Sequence, residues 1–270
     1  MMELVDTHCH IQSIGQEQGE RHTLELWKES GLEADTVIAN ALEKGVNKLI
    51  CVGCDLNDSQ QAIKFSSKRE NCWASIGIHP HEAKDYWNSS SQLQELGGLA
   101  GDNKVVAIGE CGLDYFYEHS PKDEQIELLK MQIELAIEHD LPLIFHVREA
   151  FADFWPIFDE YKGIRGVLHS FTDTKANMEE GLKRGLYFGV NGIATFAKME
   201  AQLDMYKSIP LQNLLLETDA PYLTPTPYRG SINQPMRIGV IADFLSELRR
   251  EDRSDLAFQT TNNANRLFKI

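Results

Sequence analysis

The chain has 270 residues, of which 42% are hydrophobic and 25% charged, so it can bury a core and lacks the composition of a disordered protein. Twenty-six Lys and Arg against 41 Asp and Glu give a formal net charge of -15, which argues against a protein held to nucleic acid or to anionic lipid by a broad basic surface. The N-terminus has no basic segment followed by an apolar one, and no apolar run approaches the ~20 residues that span a bilayer. A cytoplasmic protein without a membrane partner is therefore expected.

Short apolar runs alternate with amphipathic stretches along the whole chain. The runs predict β-strands at 3–8, 47–52, 72–79, 104–110, 141–147, 165–170, 186–191 and 213–219. The amphipathic stretches predict helices at 35–44, 59–69, 125–139, 150–161 and 175–184, and then at 239–250 and 254–267, the last of them capped by Ser254. Most of the predicted strands are continuous runs of Val, Ile and Leu, which is typical of parallel strands covered on both faces.

Eight alternations of strand and helix predict an α/β fold, a single (β/α)8 TIM barrel domain over residues 1–270 with two C-terminal closing helices. An open, doubly wound sheet is the alternative. Segment 12–32 is longer and more acidic than a minimal loop after the first strand, and we expect it to form a flexible lid.

Five cysteines, an odd number spread along the chain, indicate reduced thiols rather than a disulfide framework. Cys51 and Cys54 have the C-x-x-C spacing of zinc and redox sites. The pair ends an apolar strand and has no second such pair, which favours buried thiols.

Histidine and acidic residues occur where the predicted strands end. These residues are His8, His10, His79, His81, Glu110, His146, His169 and Asp219. In a (β/α)8 barrel the C-terminal ends of all strands meet at one mouth, so residues far apart in the sequence are expected to come together there. A single histidine or carboxylate at a strand end is also common as a surface, capping or core residue. Six of these residues, four imidazoles and two carboxylates, jointly favour a metal site: His8, His10, Glu110, His146, His169 and Asp219.

This set predicts two divalent metal ions, Mg, Mn or Zn. His8 and His10 lie two residues apart in an extended segment and therefore point to one side, where Asp219 completes the ligands of one ion. His146 and His169 are the predicted ligands of the other ion, and Glu110 bridges both. Two ions at such a site activate water and stabilise a leaving oxyanion, so hydrolysis is the natural reaction. The predicted catalytic carboxylates are Glu110 and Asp219, with Asp219 helping to deprotonate the attacking water.

The segments DTHCH, IGIHPHEA, AIGECGLDY, FHVREA, VLHSFT and LLLETDAPYL, with NNANRLF near the end, resemble the motifs of the TatD family of metal-dependent deoxyribonucleases in their usual order. The resemblance implies a TIM barrel with one or two divalent ions that hydrolyses phosphodiester bonds at DNA ends, commonly as a 3′-to-5′ exonuclease. By matching motif it places the ligand roles on the same six residues. The stretch 228–235 departs from the family pattern, because Gln234 stands where a carboxylate is usual. This departure affects the expected recognition of the substrate end more than the expected metal binding.

Three further residues are predicted to bind the substrate. His79 is similar to a family histidine near the scissile phosphate. Alternatively, His79 supports a metal ligand or stabilises a turn. Arg148 follows His146 by two residues and can hold a phosphate in two hydrogen bonds, or form an ion pair with Glu149 or Asp153 at the start of a helix. Tyr115 is predicted to stack on a base or a sugar, with ordinary packing as the alternative.

The sequence thus predicts an enzyme, a hydrolase that cleaves the phosphodiester bonds of DNA, preferably at single-stranded 3′ ends, and acts as a monomer. The small number of basic residues favours a short contact with a chain end over a long duplex groove. The alternative is an acyl or amide hydrolase such as a D-aminoacyl-tRNA deacylase, since related barrels use the same ligand layout on amides. A binding protein that has lost its chemistry would lack one of the ligands, and the sequence has all six.

Overall fold

The computed structural model describes residues 3–19 and 21–270, and every predicted strand is present in it. The strands are β1 (Leu4–Cys9), β2 (Val46–Val52), β3 (Cys72–Ile76), β4 (Val105–Asp114), β5 (Leu143–Arg148), β6 (Gly166–Leu168), β7 (Tyr187–Val190) and β8 (Leu214–Leu216). The helices are α1 (Arg21–Ser30), α2 (Ala34–Glu43), α3 (Leu56–Ser66), α4 (Ala83–Tyr86), α5 (Ser90–Leu99), α6 (Lys122–Glu138), α7 (Phe151–Asp159), α8 (Lys175–Lys183), α9 (Glu200–Ser208), α10 (Ile238–Arg249) and α11 (Arg253–Phe268).

The strands follow one another in the order of the chain, from β1 to β8, and the pairs β1–β2, β3–β4, β4–β5, β5–β6 and β7–β8 are parallel. A doubly wound sheet starts near its middle and reverses direction, so this order excludes the alternative topology. The predicted α/β barrel class is therefore confirmed.

The residues group into two compact units. The first comprises the described residues up to Cys51 together with Ser170–Ile270, and the second comprises Val52–His169. The first unit contains β1, β7 and β8 and all but the last residue of β2, and the second contains β3 to β6. A single domain over residues 1–270 stays a prediction.

The strands are buried along most of their length because their side chains are apolar on both faces. All six residues of β1 and all ten residues of β4 are buried. A carboxylate in such a strand is far from water and needs a compensating partner. Glu110, which is 4% exposed in β4, is such a carboxylate.

One local prediction is wrong. Asp252, not Ser254, caps α11: its Oδ1 accepts hydrogen bonds from the backbone N–H groups of Ser254 and Asp255 at 2.8 and 3.3 Å. Segment 12–32, the expected lid, contains α1, which buries Trp27 to 2% exposure, and Glu20 of this segment lies outside the described residues. A lid role of the segment stays a prediction.

Helices α4, α5 and α9 were also not predicted. Helix α5 buries only Leu96 of its residues, so its sequence has almost no apolar periodicity to reveal it. In the described part of the chain no helix is both long and apolar enough to cross a bilayer.

Candidate metal centre

Two histidines and one aspartate converge in the first unit, at the ends of β1 and β8. His8 Nε2 lies 3.3 Å from His10 Nε2, and Asp219 Oδ1 lies 3.7 and 3.3 Å from these two nitrogens. Their side chains are 0%, 9% and 15% exposed, respectively. Two imidazole nitrogens and a carboxylate oxygen at these separations are suited to a divalent metal ion. The structure thus brings together the three residues that the sequence assigns to one ion.

The backbone fixes this first group. His10 N donates to Ala220 O, and Asp219 N donates to His8 O, both at 2.8 Å. Cys9 and Ala220 form a parallel bridge between these two hydrogen bonds. Asp219 has a φ of +58°, a left-handed conformation that aspartate adopts more readily than most residues. The chain after β8 is therefore held directly against the end of β1, with the three ligand side chains on one side.

Asp6 supports the same group from inside β1. Its carboxyl is fully buried, and Oδ1 accepts hydrogen bonds from His8 N at 3.3 Å and from Thr218 N at 2.9 Å. Oδ2 accepts from the Thr218 hydroxyl at 2.5 Å. These hydrogen bonds favour the charged form, but burial outweighs them and raises the pKa of Asp6 to about 8. Asp6 thus ties the residue before Asp219 to the backbone of His8.

Helix α1 lies behind His10. The indole Nε1 of Trp27 donates to His10 O at 3.2 Å. The ring of Tyr222 lies 6.3 Å from the His10 ring in an edge-to-face arrangement, and its hydroxyl is hydrogen-bonded to Thr23 of α1. The segment that we expected to be a flexible lid therefore contributes a helix that supports a candidate ligand.

A second group forms in the second unit, around Glu110. Its Oε1 lies 2.8 Å from His146 Nδ1 and 3.3 Å from His169 Nε2. Glu110 belongs to β4, His146 to β5, and His169 follows β6, where its N–H donates to Phe145 O at 3.0 Å. The second unit therefore contains the donor set of the first, two imidazoles and one carboxylate, and His79 adds a third imidazole beside Glu110. These are the remaining three of the six predicted ligands.

Asp114, at the end of β4, orients His146. Its Oδ2 lies 2.8 Å from His146 Nε2 and 3.1 Å from His81 Nε2. Burial opposes the charge of Asp114, but the hydrogen bonds from His146, His81 and the backbone of Tyr117 outweigh it and hold its pKa well below the usual range. Burial likewise opposes a charged His146, yet hydrogen bonds to Asp114 and Glu110 raise its pKa. A charged Asp114 keeps a proton on Nε2 and directs Nδ1 towards Glu110, which is the arrangement of a metal-binding histidine supported by a carboxylate.

Glycines allow β4 and β5 to approach this closely. Gly112 has a φ of +151°, and a Cβ built there would lie 1.9 Å from His146 O. At Gly109, which has a φ of +144°, a Cβ would lie 2.5 Å from Ile144 O. Any side chain at either position would push β5, and with it His146, away from Glu110.

His79 also lies beside Glu110, with its Nε2 3.5 Å from Glu110 Oε1. Its Nδ1 accepts a hydrogen bond from His81 N at 3.2 Å, so the ring proton of the neutral form is on Nε2. Burial and the nearby His146 lower the pKa of His79 to about 4. The side that faces Glu110 is therefore an N–H donor and not a free lone pair. This makes His79 better suited to hold a substrate oxygen than a metal ion.

Arg148 and Tyr115, the other predicted substrate residues, also lie at these strand ends. The Arg148 guanidinium lies 3.8 Å from the centre of the Phe116 ring, and among the described residues it forms no ion pair with Glu149 or Asp153. Tyr115 donates its hydroxyl hydrogen bond to Asp153 at 2.8 Å. The ammonium group of Lys122 lies 4.0 Å from the centre of the Tyr115 ring. Their contacts with substrate stay predictions.

Sequence reasoning missed two residues, Asp6 and Asp114, that hold the candidate ligands. Both carry the signal that identified Glu110 and Asp219, namely a carboxylate in or at the end of an apolar strand. Asp6 precedes His8 by two residues, and Asp114 follows Glu110 by four. Cys51 and Cys54 are reduced thiols that form no disulfide among the described residues, the first buried and the second half-buried, and Cys54 Sγ lies 3.9 Å from Glu110 Oε2.

Comparisons with known proteins agree with this geometry. A family model described as TatD related DNase matches residues 5–269. The chain is 35% identical to the metal-dependent hydrolase YabD of Bacillus subtilis (strain 168) over 99% of both chains. It is 38% identical to a 3′-5′ ssDNA/RNA exonuclease TatD of Cronobacter sakazakii over 87% of this chain and 92% of that protein. The crystal structure of the TatD homologue YJJV of Escherichia coli superimposes with a TM-score of 0.87 and 27% identity, covering 100% of this chain and 99% of that one.

Proposed function

We propose, since this chain belongs to the family of TatD-related deoxyribonucleases, that it is a 3′-to-5′ exonuclease that removes nucleotides from single-stranded DNA ends. Membership in the family also makes the chain a metal-dependent hydrolase, as the sequence predicts. The DNA substrate, the direction of cleavage, a monomeric state and a cytoplasmic location are proposals.

One observation carries the proposal. In each unit a largely buried carboxylate oxygen has histidine nitrogens within 3.7 Å, two around Asp219 in the first and three around Glu110 in the second. Buried carboxylates that serve only stability are usually paired with a cation or with backbone donors. A repeated set of two imidazoles and one carboxylate is a donor set for divalent metals.

We propose two divalent ions, Mg, Mn or Zn, as cofactors. His8, His10 and Asp219 would hold one of them, and Glu110, His146 and His169 the other. The nitrogen and oxygen donors fit Zn and Mn most directly, while Mg would need more water among its ligands. Such ions supply Lewis-acid chemistry, because they make water a nucleophile at neutral pH and neutralise charge on phosphoryl oxygens. A bridging role of Glu110 stays a prediction.

The residues of the chain itself orient the substrate and move protons. Asp219 is proposed to accept a proton from the attacking water, since its carboxylate lies beside both histidines and is 15% exposed. His79 is proposed to donate its Nε2–H to a phosphoryl oxygen, because its own tautomer is fixed by His81. Arg148 is proposed to hold the next phosphate through its guanidinium group.

The charge of the chain limits the length of the contact with DNA. A formal net charge of -15 does not favour a long groove that neutralises many phosphates. An enzyme with few cations therefore gains most at a strand end, where few phosphates must be met. We expect a duplex to be cut more slowly than a single strand, because its ends must first fray.

The test compares three substrates with the Mn-loaded protein. They are single-stranded DNA labelled at its 5′ end, the same strand in a duplex, and a D-aminoacyl-tRNA. We expect a descending ladder of shortened products from the single strand and slower shortening of the duplex. No ladder with Mn, Mg or Zn, together with release of free amino acid, would refute the nuclease and support the deacylase.

Two variants separate the chemistry from contamination by another nuclease. Asp219→Asn removes the proposed proton acceptor, so the ladder should be lost even when metal is supplied in excess. Asp204→Asn changes a surface aspartate, 55% exposed and paired with Lys207 on α9, and should cleave like the wild type. Equal activity of the two variants would contradict the assignment of Asp219.

A further inference from the structure

Two aromatic rings and a guanidinium group lie exposed beside the second candidate ligand group. Phe116 is 48% exposed and Tyr117 is 42% exposed. The Arg148 guanidinium carbon lies 3.8 Å from the centre of the Phe116 ring and 4.9 Å from that of Tyr117. The two rings meet edge to face, with centroids 4.7 Å apart. We refer to these three side chains as the aromatic platform.

The platform is only partly packed into the protein: the centre of the Tyr117 ring lies 5.5 Å from those of His119 and His81, and Tyr117 stays 42% exposed. Large aromatic side chains with about half their surface in water gain only part of the burial energy of a core residue. The guanidinium group of Arg148, an exposed residue at the end of β5, lies over the rings of the platform and forms no ion pair among the described residues. Flat rings under a flat cation at the surface are instead the groups on which nucleobases stack.

The platform is anchored to the same carboxylate as His146. Asp114 Oδ1 accepts hydrogen bonds from the backbone N–H groups of Phe116 and Tyr117, each at 3.0 Å. Its Oδ2 lies 2.8 Å from His146 Nε2. Arg148 is aligned with Asp114 in the pairing of β5 with β4, and its carbonyl accepts from Tyr115 N at 2.9 Å. The rings and the candidate ligand are therefore held in fixed positions relative to each other.

The distance along β5 limits which base can reach the platform. Arg148 follows His146 by two residues, which is about 7 Å in an extended strand. A base on the platform therefore belongs to a nucleotide close to the phosphate that is cleaved, not to a distant part of the strand.

We propose that the aromatic platform stacks one nucleobase of the unpaired DNA strand, within one or two nucleotides of the scissile phosphate. This inference rests on the proposed function. Every base has a π-face, so the platform would act without sequence preference, and a paired base in a duplex would not be free to reach it. In a chain of net charge -15, stacking would supply affinity that phosphate contacts cannot.

An abasic scan tests this proposal on the unaltered protein. Single-stranded DNA labelled at its 5′ end carries one tetrahydrofuran abasic residue at each of the last four positions in turn, and initial cleavage by the Mn-loaded enzyme is measured. Because one stacked base contributes about 1–3 kcal/mol, the KM is expected to rise roughly 5- to 150-fold at one of these positions. The kcat should change little, since stacking is equal in the ground and transition states.

Variants then assign the effect to the platform. Phe116→Leu and Tyr117→Leu should raise the KM for intact DNA and should also abolish the additional penalty of the abasic residue, because the stacking partner is already absent. Phe258→Leu is the matched control, since Phe258 is 69% exposed on α11; it should retain the wild-type KM and the full abasic penalty.

The outcomes separate the two proposals. A normal ladder with no abasic penalty at any of the four positions would overturn the platform and leave the nuclease intact. An abasic penalty that persists unchanged in both Phe116→Leu and Tyr117→Leu would also overturn it. The absence of any ladder with wild-type protein would overturn the nuclease and the platform together.

Discussion

The exchange Asp114→Asn tests how the second candidate ligand group is oriented. Asparagine has the same shape, and its Oδ1 can still accept from the N–H groups of Phe116 and Tyr117. Its amide NH2 would take the place of Oδ2, which now lies 2.8 Å from His146 Nε2. Because an NH2 group donates, Nε2 would have to turn from donor to acceptor. The proton of a neutral His146 would then move to Nδ1, the nitrogen that faces Glu110.

This change of tautomer sets the magnitude of the effect. A protonated Nδ1 cannot bind a metal ion, so the variant must either disrupt its contact with residue 114 or lose a ligand. Removal of such a supporting carboxylate costs about 10- to 100-fold in metal affinity or activity. In free energy this is about 1.4 to 2.7 kcal/mol, at about 1.36 kcal/mol per factor of ten.

The assay is a calorimetric titration of Mn into metal-free protein, followed by kcat/KM on single-stranded DNA at saturating Mn. Asp102→Asn is the control, because Asp102 is an exposed aspartate of the same unit that accepts from Lys104 N at 2.8 Å and touches no candidate ligand. Unfolding in urea should show Asp114→Asn to be folded. Wild-type Mn affinity together with wild-type turnover in Asp114→Asn would refute the orienting role of Asp114.

Two further predictions concern the supports of the ligand groups. A Cβ at Gly112 would lie 1.9 Å from His146 O, so Gly112→Ala should lower the free energy of unfolding by about 3 kcal/mol or more. Gly98 on α5 has open space around it, so Gly98→Ala should raise this free energy by roughly 0.5–1 kcal/mol. Equal effects of the two variants in urea unfolding would contradict the close approach of β4 and β5. Asp6→Ala leaves the buried Thr218 N–H without its acceptor and should lower the free energy of unfolding by about 1–3 kcal/mol or more in the same assay. Asp6→Asn keeps one acceptor oxygen and should lower it less. Equal losses in the two variants would count against a hydrogen-bonding role of Asp6.

The sequence by itself determined the order of the strands and the type of each candidate ligand. Apolar runs of Val, Ile and Leu are local signals, and all eight strands that they predict are present. Because parallel strands expose their C-terminal ends at one edge, the residue that ends each run could be selected without any knowledge of the packing. This is why the sequence could group His8, His10 and Asp219, which lie together in the structure although 209 or more residues separate Asp219 from the histidines.

Local signals failed where an element depends on a distant contact. Helix α1 lies in a segment rich in charged and polar residues, and the burial of Thr23 and of Trp27, which contacts His10, identifies its inner face. The cap of α11 was placed at Ser254 because serine and aspartate are both good caps, and the backbone conformation of Asp252 decides between them.

Only the tertiary structure decided what each nitrogen and oxygen of the candidate site faces. The tautomer of His79 follows from its contact with His81 N, and the orientation of His146 from Asp114, 32 residues away. Asp6 acts through Thr218, at a separation of 212 residues. A hydrogen bond depends on distances of a few tenths of an ångström between atoms that folding brings together, and a one-dimensional pattern carries no such distances. The sequence therefore specifies which residues can serve as ligands or proton acceptors. The packing of the strands determines which of their nitrogens carries a proton and which atom each side chain faces.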